Sequence, residues 1–215
     1  MAIEAVVFDW GGVLAGNVLT GFAELEERLG VAEGSMPGLL GVQPTATDPA
    51  NLWHQRELGR ATALEWAQWY SDRVSAAGGP AIPVDLLVAS EADRFSIEPN
   101  AQIIDLVRRL SATGYRLGLC TNNFAEVGDA WRAQLPMEVF EAVVVSCEIG
   151  ARKPDPAMYE FVTNALGVAP GSTVLLDDLE GNVDGARAVG WHAILVGADH
   201  AAAIAALDDL LSIEA

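Results

Sequence analysis

Five short apolar runs punctuate the chain, each ending on small or polar residues: "AVVFD" (5–9), "RLGLCTN" (116–122), "AVVVS" (142–146), "STVLLDD" (172–178) and "HAILVG" (192–197). Their hydrophobicity is continuous rather than alternating. That pattern suits strands buried on both faces, hence a parallel sheet covered by helices. Between the runs the spacing becomes helical. "AQIIDLVRRLSATG" sets Ile103, Ile104, Val107 and Leu110 on one face and stops at Gly114. "DPAMYEFVTNALG" carries Met158, Tyr159, Phe161, Val162 and Leu166, begins with Pro156 after Asp155, and stops at Gly167. The alternation predicts an α/β fold with a doubly wound, Rossmann-like parallel sheet.

One gap breaks the rhythm. About a hundred residues separate the first run from the second, far more than one crossover helix needs. Much of the gap is helical in pattern: "LTGFAELEERLG", then "NLWHQRELGRATALEWAQWYSDRV", in which Leu64, Trp66, Trp69 and Val74 are available for packing. The Gly- and Pro-rich stretch "GSMPGLLGVQPTATDPA" reads as a loop between them. The expected organisation is therefore a core of residues 1–15 and 97–215, interrupted by a small helical cap over residues 16–96. Linkers near Gly16 and Pro99 are the expected hinges.

In open α/β sheets, ligands bind beyond the carboxyl ends of the strands, so the residues just after each run carry the chemistry. The first run ends in Asp9 within "FDWGGVL", where two glycines let the chain turn sharply. The second ends in Thr121, Asn122 and Asn123. The third is followed by "CEIGARKPDP", which offers Lys153, and the fourth ends in Asp177 and Asp178. Three carboxylates, a hydroxyl, an amide and a lysine on one edge suit phosphoryl transfer. Carboxylates bind magnesium through one or two protein acids while water and phosphate complete the octahedron. An aspartate nucleophile without metal is equally open on spacing alone, because a carboxylate can form a covalent ester intermediate.

Charge narrows the choice of partner. Thirty acidic residues against 12 Lys plus Arg give a net charge of -18, spread along the chain. That field repels nucleic acid and anionic membrane surfaces, so neither is an expected partner. A phosphate site must then be compensated locally by a cation, a lysine or backbone N–H groups. No uncharged run is long enough to span a bilayer, and no basic-then-apolar leader opens the sequence. Two cysteines are too few for a stapled secreted fold, so the expected location is a reducing cytoplasm. The sequence carries no signal for oligomeric state.

Four motifs in order, "FDWGGVL", "LCTNN", "ARKPDP" and "LLDDLEGNVDGA", resemble the haloacid dehalogenase superfamily, mostly magnesium-dependent phosphatases with an aspartate nucleophile. With "WHQRELG" and "TNN", the chain looks most similar to the subgroup of sugar-1-phosphatases and the phosphatase domain attached to epoxide hydrolases. The resemblance implies that Asp9 attacks phosphorus and ligates Mg2+, with the Gly11 carbonyl and Asp178 as further ligands. It implies that Thr121 and the N–H of Asn122 hold phosphate oxygens, that Lys153 offsets charge, and that Asp177 orients the site or pairs with Lys153. The substrate would be a small phosphorylated metabolite. One position departs from the pattern: the second aspartate, which protonates the leaving group, is here Gly11. Its loss costs about 10² to 10⁴ in rate where that group acts.

Two other readings stay open. A metal-independent 2-haloacid dehalogenase also lacks the second aspartate, although its pattern replaces the paired acids of "DDLEGN" with small polar residues; halide release would identify it. A weakly active or inactive binding protein on the same fold would bind ligand without turnover. Elsewhere, Cys120 reads as a buried small hydrophobe. His192 begins a strand and His200 a surface helix, and neither is a catalytic candidate. His54, Arg56 and Glu57 lie on the insertion and could reach a substrate, but a solvated helical face is the expected reading. Trp53, Trp66 and Trp69 read as cap core.

Overall fold

The computed structural model describes residues 2–17, 20–32, 34–35, 47–94 and 98–213. All five apolar runs form strands: β1 (Ala5–Phe8), β2 (Arg116–Thr121), β3 (Ala142–Val145), β4 (Thr173–Asp177) and β5 (His192–Leu195). They pair in parallel in the order β3-β2-β1-β4-β5. The period of two divides each continuous run between the sheet's faces. Val6, Phe8, Leu117, Leu119, Val174 and Leu176 face one core cluster, together with Ile103, Val107, Leu110 and Leu207. Ala5, Val7, Cys120, Val144 and Leu175 face the other, together with Met158, Tyr159, Val162 and Leu166. Each fully buried Val or Leu contributes about 1.5–3 kcal/mol relative to exposure, which is why no polar residue interrupts the runs.

Among the described residues, the insertion between β1 and β2 holds four helices, α1 (Thr20–Leu29), α2 (Leu52–Glu57), α3 (Ala63–Ala76) and α4 (Val84–Arg94), before the chain returns to the core. The remaining helices are α5 (Ala101–Ala112), α6 (Ser146–Ile149), α7 (Pro156–Leu166), α8 (Glu180–Ala188) and α9 (His200–Ile213). The helical pattern read across residues 51–74 resolves into two helices, because Gly59 adopts φ +69 and Thr62 starts α3 with a capping box to Glu65. The insertion has its own core of Leu25, Trp53, Trp66, Tyr70, Val74, Ile82 and Leu87. Its two ends meet: Ala15 and Pro99 form an antiparallel bridge, the Gly16 N–H donates to the Glu98 carbonyl (3.2 Å), and the Asn100 N–H donates to the Leu14 carbonyl (2.8 Å).

Three packing expectations change. Leu64 lies on the solvent side of α3, opposite the buried Trp66, and Phe161 occupies the solvent side of α7, opposite Tyr159. Trp69 is only half-buried. Each of these positions is about 200° around its helix from the residue two places away that is buried. Most of the loop expected between the helical stretches, residues 36–46, lies outside the described residues. No described helix is long and apolar enough to cross a membrane.

Candidate active site

Asp9 is the first residue past the central strand, and its N–H still donates to the Leu176 carbonyl (2.9 Å), which extends the ladder to β4. The chain then turns. Gly12 has φ +78, and a Cβ there would stand 2.1 Å from Asp178 Oδ2, so only glycine lets the turn close over that carboxylate. Lys153 Nζ lies 2.9 Å from Asp9 Oδ1 and donates to Asp177 Oδ2 at 2.6 Å. Asp177 Oδ1 accepts from the Leu179 N–H (3.0 Å) and from Asn182 Nδ2 (2.9 Å). Both oxygens of Asp177 are thus occupied by the protein. The Asp178 side chain accepts from Asn17 Nδ2 (3.0 Å). One oxygen from each of Asp9, Asp177 and Asp178 falls within 4.8 Å of the others.

This set is short of positive charge. Burial pushes the Asp9 carboxyl up to about 6, against the opposing pull of Lys153, and Asp177 adds to the rise. Asp178 is pushed up to about 8, first by burial and then by repulsion from Asp9 and Asp177. Burial works against the charge of Lys153 as well, but Asp177 and Asp9 outweigh it and hold the ammonium well above the usual lysine range. One cation therefore faces three carboxylates. An all-oxygen donor set with surplus negative charge fits a hard divalent cation such as magnesium. With both oxygens of Asp177 engaged, Asp9 and Asp178 are the carboxylates that could hold one.

Thr121 and Asn122 close the end of β2 beside β1. The Thr121 side chain is buried, and its hydroxyl is 3.5 Å from the Asn122 carbonyl. The Asn122 side chain has a task that the sequence did not suggest. Its Nδ2 donates to the Lys153 carbonyl (2.9 Å) and its Oδ1 accepts from the Lys153 N–H (2.8 Å). Asn123 is held in turn, its N–H donating to Ser146 Oγ (3.0 Å). No local pattern announces either contact, since the partners lie 31 and 23 residues away.

The solvated face expected for His54, Arg56 and Glu57 is overturned, because all three are buried. His54 Nδ1 accepts from the Asp48 N–H (3.0 Å). The Arg56 guanidinium lies over the rings of Phe124 (4.0 Å) and Trp66 (5.2 Å), and its Nη2 is 3.4 Å from Glu126 Oε2. Glu57 accepts from Trp53 Nε1 (3.0 Å) and from Arg152 Nε (2.5 Å). Opposite charges on distant loops thus replace the water a helical face would otherwise meet. His200, expected on a surface helix, brings its Nε2 to 3.4 Å from the Gly12 carbonyl oxygen. Cys120 is buried as expected, and burial pushes its thiol up to about 12. That leaves it without the thiolate a nucleophile needs.

Residues 3–190 match the family model of haloacid dehalogenase-like hydrolases. Bifunctional epoxide hydrolase 2 of Mus musculus is 28% identical over 207 residues, which is 91% of this chain but 37% of the relative's length. The chain therefore spans well under half of that protein. Phosphatase MT3486 of Mycobacterium tuberculosis is 30% identical over 217 residues, covering 91% of this chain and 88% of its own. Among solved structures, a family enzyme from Bacteroides thetaiotaomicron in complex with magnesium and inorganic phosphate superposes with a TM-score of 0.64 at 19% identity. The match covers 92% of this chain and 96% of that one.

Proposed function

The chain belongs to the haloacid dehalogenase-like hydrolases, and from that premise we propose that it is a magnesium-dependent phosphatase working through a phosphoaspartate on Asp9. The observation that carries this reading is the Lys153 ammonium set between Asp9 and Asp177, with Asp178 beside them and too little positive charge to balance the three. Similarity over nearly full length to a mycobacterial phosphatase supports it. The magnesium and phosphate bound by the Bacteroides enzyme of the same fold are consistent with it.

Asp9, Asp178 and the Gly11 carbonyl would hold the metal. When bound, magnesium neutralises and orients the phosphoryl oxygens. Lys153 opposes the effect of burial on Asp9 and so favours the ionised nucleophile. The Asp9 carboxylate attacks phosphorus, and the bond from phosphorus to the leaving alcohol breaks. Thr121 and the Asn122 N–H hold non-bridging oxygens as charge shifts onto the leaving group. Water then attacks the phosphorus of the acyl phosphate, releasing inorganic phosphate and restoring Asp9. Asp177 remains the fixed partner of Lys153 throughout. Glu57 is not free to replace the acid missing at Gly11, because Arg152 and Trp53 engage its carboxylate.

A panel of phosphorylated metabolites, assayed for phosphate release with magnesium and with chelator, tests the reading. At least one should be hydrolysed only with the metal, and Asp9→Asn should abolish that turnover while the protein stays folded. Equal turnover by the variant would refute the nucleophile. Release of chloride from a 2-chloro acid without metal would instead assign a dehalogenase.

A further inference from the structure

We propose that Arg56 and Glu57, adjacent on α2, are positioning residues that hold the loops after β2 and β3 against each other and thereby set Thr121 and Asn122 relative to Lys153. Neighbouring residues on a helix point about 100° apart, so two adjacent charges reach two different partners. Arg56 reaches the loop after β2. Its guanidinium covers Phe124 at 4.0 Å and meets Glu126 at 3.4 Å, three and five residues past Thr121. Glu126 also accepts from the Ala63 N–H (2.7 Å), at the start of α3. Glu57 reaches the loop after β3, where its Oε2 meets Arg152, the residue before Lys153. The Asn122 side chain joins the two loops directly through both backbone groups of Lys153. These contacts form a closed ring: α2 to Phe124 and Glu126, along the chain to Asn122, across to Lys153, back through Arg152 to α2.

The packing around α2 agrees with a fixed mount. Phe124, a core residue, sits in the insertion's own apolar cluster with Trp53 at a ring separation of 4.7 Å. A Cβ at Gly59 would stand 2.6 Å from the Cys147 carbonyl oxygen, so the end of α2 lies directly on α6. A buried ion pair is seldom the most stable filling for such a space, and apolar residues of similar volume often serve stability as well or better. Charges with two specific partners fix geometry instead. Swinging the whole insertion about residues 16 and 99 would pull Phe124 from its cluster and separate Glu57 from Arg152. In this arrangement the ring ties α2 to the core loops, so a hinged motion of the whole insertion would have to break both contacts.

Only the roles of Thr121, Asn122 and Lys153 rest on the phosphatase reading, and the test separates the two. Backbone hydrogen exchange is measured on metal-free, substrate-free protein, wild type and Glu57→Gln. The Lys153 and Asn123 amides should exchange faster by about tenfold or more in the variant, while the strand amides of Val7, Leu119 and Leu175 keep their wild-type rates. With magnesium and the best substrate of the panel, kcat should fall by about 10- to 100-fold with KM nearly unchanged, as misplacement of transition-state contacts requires. Arg152→Lys, which keeps the charge and loses the Nε contact, should move the same amides less. It also supplies the readout if Glu57→Gln does not fold. Wild-type exchange at Lys153 and Asn123 would overturn the proposal, as would a uniform acceleration that includes the strands. A wild-type protein that hydrolyses no phosphate ester would count against the phosphatase reading and leave the exchange result standing.

Discussion

Gly11 and Gly12 are adjacent and chemically identical, yet the fold makes different demands on them. Gly12 needs positive φ and has no room for a Cβ beside Asp178. Gly11 adopts no positive φ, so a side chain is compatible with its backbone. Under the proposed phosphatase reading its cost is chemical: no acid stands two residues from Asp9, and the leaving oxygen would depart without a proton from that position. Gly11→Asp should therefore raise hydrolysis of alkyl phosphates, by up to the ~10² to 10⁴ of general acid and base catalysis, and raise that of aryl phosphates much less. The ratio of the two rates in one variant is the measurement. An unchanged ratio, with magnesium binding intact, would mean that another group already delivers the proton.

At the scale of elements, the junction between α2 and α3 is as constrained as the site itself. Gly59→Ala places a methyl 2.6 Å from the Cys147 carbonyl oxygen at φ +69, so it should destabilise the fold by roughly 1–3 kcal/mol. Arg60→Ala removes only an exposed contact to the Gly150 carbonyl and should stay within about 0.5 kcal/mol. Urea denaturation of both variants checks the contrast. The same junction shows where the sequence stops being readable. The strands were legible because burial on both faces leaves unbroken apolar runs such as "AVVF" and "TVLL". The meeting of Asp9, Lys153 and Asp177 was legible because each stands at the end of such a run or in the loop after one, and the sheet brings the run ends together. Arg56 and Glu57 were not. A charged pair on a helix looks the same whether it meets water or, as here, Glu126 and Arg152, which lie 70 and 95 residues away. Asn122 was half legible: its place at the strand end could be read, but not the grip of its side chain on Lys153.

Over the whole molecule the charge of -18 is distributed, while at the site burial and neighbouring carboxylates raise Asp9 and Asp178. Asp9 and Asp178 have pKa values of about 6 and about 8 in the fold, both above the ordinary 3.8 of the unfolded chain. Between those limits the folded state binds more protons than the unfolded state, so stability falls as pH rises. Lys153, raised well above 10.5, stays charged in both states over this range and adds no slope. Without metal, Tm should thus decline from pH 5 to pH 8, each kcal/mol lost lowering it by about 2–4 °C. Magnesium should restore more at pH 8 than at pH 5, because only the ionised carboxylates bind it. Calorimetry at the two pH values, with and without the ion, tests the sign; a metal-free Tm that climbs with pH would contradict it.

The bridge between Ala15 and Pro99 carries a consequence for how such a chain diversifies. Because the inserted segment leaves and returns at one point, its length and sequence are invisible to the register of the sheet. Evolution can lengthen it, shorten it or trade it for another without disturbing a single strand pairing. The freedom ends at the loops after β2 and β3. Any replacement inherits Phe124, here packed on Trp53, and the buried Arg152, here paired with Glu57. If Arg56 and Glu57 position the loops as proposed, a graft that joins perfectly at the bridge but brings no equivalent of Trp53, Arg56 and Glu57 would be accepted by the scaffold and rejected by the chemistry.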